Sequence, residues 1–168
     1  MKTNFNWGDD IIDSRDIITR FEELEDEYDE LVNALEDAKD ELMAHRMDNL
    51  DFVENEDEPL VMAVTEAQDA LDEFNQSFDK DELDTLREVI EQGEDSPDWS
   101  YGETLIRGSY FTDYITDLIK DCYEMPKEMD SGKWPYNHLQ MDWESAAEEA
   151  KIDYSTIEVD GETYYIRS

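Results

Sequence analysis

Bases are scarce in this chain: thirteen Lys and Arg stand against forty-nine Asp and Glu, a formal net charge of −36 on 168 residues. That shortage argues against nucleic acid or an anionic membrane as a direct partner, since both are held by cationic surface. Cysteine is nearly absent. The single Cys122 forbids an internal disulfide and a cysteine-built zinc site. No apolar run reaches eighteen residues, and Met1 to Asp10 holds no apolar core of a secretory signal. The chain therefore reads as soluble and intracellular.

The residue patterns of catalysis are missing too. Neither a Gly-rich phosphate loop nor CxxC nor GxSxG occurs. The two histidines, His45 and His138, fall in different halves. Carboxylate pairs are so numerous that none singles itself out for glycoside chemistry. Residues 51–58, with Asp51, Glu54, Asn55, Glu56, Asp57 and Glu58, attract Ca²⁺ only weakly, since they lack the glycine and the final bidentate Glu of an EF-hand loop. Cys122 lies on an apolar helix face and reads as a buried, inert thiol. No catalytic residue, cofactor site or metal site is assigned, and the chain is expected not to be an enzyme.

What is present is enough to build a small core. Hydrophobic residues make up 39%, with nine Tyr, six Phe and four Trp, more aromatic content than a disordered acidic tail carries. Residues 1–13 read as a short leader whose Phe5 and Trp7 dock on the body. With Asp13 or Ser14 as N-cap, a helix then runs from 14 to about Phe52, with apolar positions at Ile17, Phe21, Leu24, Tyr28, Leu31, Leu35, Ala38 and Leu42. Spacings alternating four and three make a heptad seam; His45, further along it, reads as a packed histidine. After a polar break ending at Pro59, a second seam runs Leu60, Val64, Ala67, Leu71, Phe74, Phe78. A third helix, about 81–92, is closed by Gly93 as its C′ residue. Together, 14–92 is expected to form an acidic helical hairpin packed like a coiled coil.

Residues 93–102, with Ser96-Pro97-Asp98, read as a linker. The rest, 103–168, reads as a small α+β module. Ser109 is expected to cap a helix carrying Tyr110, Tyr114, Ile115, Leu118, Ile119 and Cys122, and Asp142 to cap a second one, Trp143–Lys151. Trp99, Trp134 and Trp143 are expected mostly in the core. Asp160-Gly161 between Thr156–Val159 and Glu162–Arg167 predicts a hairpin with a two-residue turn. The fold class expected is thus α-rich α+β.

The acids of the first helix are patterned. With Ile17 at d and Phe21 at a, the pairs Glu22-Glu23, Asp29-Glu30 and Glu36-Asp37 occupy successive b and c positions, with Asp26 and Asp40 at f. An acidic pair then recurs every ~10.5 Å along the outer face. Counting 16–54 and 59–92 together, twenty-five carboxylates spread over roughly 58 Å of helix, about one per 2.3 Å, against about one per 1.7 Å for duplex DNA. A solvated face is the plain alternative, but such faces normally mix both signs. Here like charges crowd at i,i+4 (Glu22/Asp26, Glu25/Asp29, Asp26/Glu30, Glu36/Asp40), at a few tenths of a kcal/mol each. The candidate partner-binding face comprises Glu22, Glu23, Asp26, Asp29, Glu30, Glu36, Asp37, Asp40 and Glu41, extended by Asp69, Asp72 and Glu73.

Three stretches near the end carry a resemblance: Ser109-Tyr110-Phe111-Thr112-Asp113-Tyr114, Trp134-Pro135-Tyr136-Asn137, and Met141-Asp142-Trp143-Glu144-Ser145-Ala146-Ala147, followed by the hairpin from Asp153 to Tyr165. Over roughly 105–168 this resembles the last part of the ArdA-type anti-restriction proteins of plasmids and phages. The resemblance implies an elongated acidic DNA mimic, usually dimeric, that fills the DNA groove of a restriction-modification enzyme in the host cytoplasm. It carries over no catalytic residue, and the first hundred residues depart from it. Two other readings stand beside it: a coiled-coil adaptor, and an acidic chaperone for a basic DNA-binding protein.

Overall fold

The computed structural model describes residues 5–48 and 57–167. The supposed leader is part of the sheet. Ile11–Asp13 form strand β1, which pairs antiparallel with β2 (Thr104–Arg107), Ile12 opposite Leu105. β2 pairs with β4 (Glu162–Arg167), and β4 with β3 (Tyr154–Val159), giving an antiparallel sheet in the order β1-β2-β4-β3. The two pairings of β2, with β1 and with β4, which sequence reading missed, rest on two apolar doublets, Ile11-Ile12 and Leu105-Ile106, too short to show a period. The β3–β4 hairpin is as expected. Its turn residues Asp160 and Gly161 both have positive φ, 49° and 84°, the twist a two-residue hairpin turn requires.

Among the described residues there are six α-helices: α1 (Ser14–Asp48), α2 (Glu58–Asn75), α3 (Phe78–Gly93), α4 (Trp99–Gly102), α5 (Phe111–Cys122) and α6 (Trp143–Ala150). The fold is therefore mostly helical with a small sheet, and the first helix is long, ~52 Å at its 35 residues. The end of α1 expected at Phe52 lies outside the described residues.

The chain forms two units, one of Met1–Ile17 with Val89–Ser168, the other of Ile18–Glu88. Residues 93–102 are not a free linker. They fold into the first unit, where Trp99 is 3% exposed. Gly93 ends α3 without a positive φ, so it is not the expected left-handed cap. Its role is space, because a Cβ there would lie 2.4 Å from the Trp99 indole ring. Ser14 ties the same region together. Its hydroxyl, fully buried, donates to the Trp99 carbonyl at 2.6 Å and accepts from the Glu103 N–H at 2.7 Å. Asp13, rather than Ser14, caps α1: its Oδ1 accepts the Arg15 N–H at 2.9 Å, and the Arg15 guanidinium holds the carboxyl below its ordinary range.

In the first unit, Ile106 packs with Phe111, Ile115 and Ala147 of α5 and α6, flanked by Tyr154 and Tyr165. The opposite sheet face presents Ile12, Leu105, Ile157, Val159, Tyr164 and Ile166, each at most 3% exposed. Leader docking is seen: Trp7 meets the Tyr164 ring edge-on at 6.0 Å, and the Tyr164 hydroxyl donates to the Trp7 carbonyl. At the outer edge of the sheet, the Gln92 side-chain amide imitates a neighbouring strand. It donates to the Glu158 carbonyl and accepts the Glu158 N–H at 3.0 Å, covering part of an edge that would otherwise invite pairing with another chain.

Several local expectations are corrected. Ser109 caps nothing; it sits in a short turn, Gly108–Tyr110, that leads into α5. Cys122 is exposed, because α5 buries only Phe111, Ile115 and Thr116 and its last residues run past that core. Trp134 is 81% exposed, lying in the irregular stretch between α5 and α6, whereas Trp143 is half-buried. Asp142 does cap α6, accepting the Ser145 N–H at 2.9 Å, which lowers its pKa.

Candidate acidic interface

The second unit is built on the heptad seams. On α1, Leu24 and Leu35 are buried and Phe21, Tyr28, Leu31, Ala38 and Leu42 are half-buried. Two contacts set the direction of α2. Tyr28 meets the Phe74 ring at 5.6 Å, and Arg46 donates to Asp57 at 2.8 Å. Position rises along α1 as it falls along α2, so the pair is antiparallel. Pro59 stands in the first turn of α2 as expected. The second seam breaks where Gln76 and Ser77 end α2, the Ser77 N–H returning to the Phe74 carbonyl. The break resets the helical phase, and Phe78, expected on the seam, is 90% exposed at the start of α3. On α3, Leu83 and Leu86 are buried.

Residues 18–88 carry 26 acids and 5 bases, and the bases are not spread evenly among the acids. Arg20 donates to Glu82 at 2.7 Å and lies 3.5 Å from Asp79 and 3.7 Å from Glu23. The Glu82 carboxylate holds its guanidinium above its ordinary pKa. Arg87 lies 3.6 Å from Glu25 and 3.4 Å from Asp84, and its guanidinium stands over the Phe21 ring at 5.6 Å. Lys80 also pairs with Asp84. Arg20 and Arg87 thus join α1 to α3, and the acids that these three bases meet are other than the outward row, Glu23 apart.

Eleven of the twelve predicted interface acids are exposed: Glu22, Asp26, Asp29, Glu30, Glu36, Asp37, Asp40, Glu41, Asp69, Asp72 and Glu73. Among the described residues none of these eleven has a base within ion-pair distance. Glu23 is the exception, half-buried and drawn toward Arg20. The structure also shows what sequence reading passed over. Glu27, at a position flanking the seam, and Asp79, on α3, join Glu73 around a cleft between the helices floored by Leu31, Ala70 and Phe74. The flanking position of Glu27 was the available signal; the place of Asp79 depended on the break at Ser77.

The other candidate chemistry does not assemble. His45 is half-buried on α1 and His138 exposed in a turn before α6. The weak cation site at 51–58 falls mostly outside the described residues; within them Asp57 is paired with Arg46 and Glu58 is exposed. Among the described residues no group of carboxylates, His or Cys is arranged to hold a metal ion, and no helix is long and apolar enough to cross a membrane. Comparison with family models, curated proteins and solved structures finds no match.

A row of unpaired carboxylates repels itself, and that repulsion is screened by salt. The melting temperature is therefore expected to rise by several degrees between about 20 mM and about 300 mM NaCl, followed by circular dichroism. A melting point that falls or stays level would show that the row does not strain the fold.

Proposed function

We propose that this protein is an acidic DNA mimic that inhibits a DNA-binding host enzyme, a restriction-modification or similar defence nuclease, by occupying its DNA-binding groove. The observation that carries the reading is the row of exposed carboxylates on α1 and α2 that, among the described residues, have no base within ion-pair distance, while Arg20 and Arg87 join α1 to α3. A groove that binds duplex DNA by releasing counterions gains the same release from such a row. The resemblance of 105–168 to the ArdA-type proteins supports the same reading, with action in the host cytoplasm, a dimer as the working form, and no catalysis, cofactor or direct nucleic-acid binding. The heptad pairing of α1 and α2, read as coiled-coil-like, would keep the row regular.

The test is a pull-down from host lysate on the immobilised protein, eluted by a salt gradient and, separately, by duplex DNA. A DNA-binding enzyme displaced by both is the expected result. Partners indifferent to both would sink the reading.

One observation favours a second reading, a coiled-coil adaptor. Met43, Met47, Val61 and Met62 are 64%, 71%, 40% and 56% exposed on the same two helices, surface that another chain could cover. Sedimentation separates the two, since apolar assembly survives high salt and mimicry does not. A third reading, an acidic chaperone, predicts binding to basic proteins without competition from DNA.

A further inference from the structure

We infer that the cleft between α1 and α2 is a socket for one arginine side chain of the basic partner, a fixed point in an otherwise diffuse acidic row. The inference rests on the acidic-face reading and adds a specific contact to it. The cleft encloses about 300 Å³. Its floor is apolar: Leu31 from α1, half-buried, with Ala70 and the nearly buried Phe74 from α2. Ala70 contributes only a methyl group to the floor, so a bulkier side chain there would take up part of the space. Its rim is acidic, with Glu27 from α1, Glu73 from α2 and Asp79 from α3. Glu27 and Glu73 are exposed and, among the described residues, have no base within ion-pair distance. Asp79 has only a long contact with Arg20, 3.5 Å.

This combination selects among cations. An ammonium is compact and strongly hydrated, and gains little from an apolar floor. A guanidinium is flat and weakly hydrated, its aliphatic stem lies readily on apolar surface, and its fork of donors can reach two carboxylates at once. Glu22, Asp29, Glu36 and Asp40 line no part of this cleft, and an exposed carboxylate by itself does not select among cations. The cleft would therefore set the register of the partner along the row.

The experiment is a two-dimensional NMR titration of the full chain with N-acetyl-arginine methylamide, compared with the lysine and the uncharged citrulline equivalents. The arginine probe is expected to shift the Leu31 and Ala70 methyl signals saturably, at least about tenfold more tightly than the lysine probe, and citrulline not at all. Ala70→Phe, which puts a ring into the cleft, should abolish the Leu31 shift. Glu73→Gln should weaken both methyl shifts without altering the fold, and so stands as the check if the larger side chain disturbs packing. Arginine and lysine shifts that are equal, unsaturated and spread along α1, unchanged in both variants, would overturn the socket. A parallel titration with octa-arginine separates the two readings. If that peptide binds and salt releases it, only the socket is lost; if it does not bind, the acidic-face reading falls as well.

Discussion

Replacing Ser14 with alanine is expected to lower the stability of the chain by about 2–4 kcal/mol. The loss is large for one oxygen because of where that oxygen sits. The Ser14 side chain is fully buried, and its hydroxyl serves two backbone groups at once, the carbonyl of Trp99 and the N–H of Glu103. Removing it strands a buried donor and weakens the satisfaction of a buried acceptor, and such groups cost about 1–3 kcal/mol each when left unmade. Native domains have only about 5–15 kcal/mol in hand, and this one already carries its own repulsion. Urea unfolding followed by tryptophan fluorescence measures the effect, since Trp99 is at the site. A shift below about 0.5 kcal/mol, the usual range of a surface substitution, would mean that water replaces the hydroxyl.

Neutralising four outward acids together, Glu22→Gln, Asp29→Asn, Glu36→Gln and Asp40→Asn, is expected to weaken binding to the DNA-competing partner about a hundredfold or more at low salt. All four are exposed and, among the described residues, without a base. The salt dependence is the sharper readout. Each lost phosphate-like contact should take up to about 0.9 from the slope of log K against log salt, so the slope should fall by about 2–4. Single substitutions from this set should each cost about three- to fourfold, because the charges act as a sum. Stability should not suffer. Glu36 and Asp40 repel each other at i,i+4, as Glu22 and Asp29 repel Asp26 and Glu25 in turn, and removing such pairs relieves a few tenths of a kcal/mol each. A quadruple variant that binds with unchanged slope would refute the charge-sum account, whereas one lost entirely through a single position would place the energy in a specific contact.

Much of this molecule was legible in the order of its residues. The seam of α1 was readable because three- and four-residue spacings persist over several turns, and a helix must bury whatever side it makes apolar. The outward acids followed from the same phase: once Ile17 and Phe21 are placed inward, Glu22, Asp29 and Glu36 have nowhere to go but solvent. The Asp160-Gly161 turn and the Asp142 cap were readable because both are local, settled within four residues by backbone angles and one short hydrogen bond. The sheet partners of β1 and β2 were not, since a three-residue strand carries no period and its pairing joins positions nearly a hundred apart. The burial of Trp99 was expected, but its packing against Gly93, whose missing Cβ makes room for the indole ring, was not, nor was the exposure of Cys122 and Phe78, which depends on where α5 outruns its core and where Ser77 resets the helical phase. The residue order by itself determined the long helices and the side on which their charge lies, because both are periodic properties of one segment. Which carboxylates the few arginines neutralise, and which three surround the cleft at Ala70, only the tertiary structure decided, because ion pairs between helices depend on how separate segments meet.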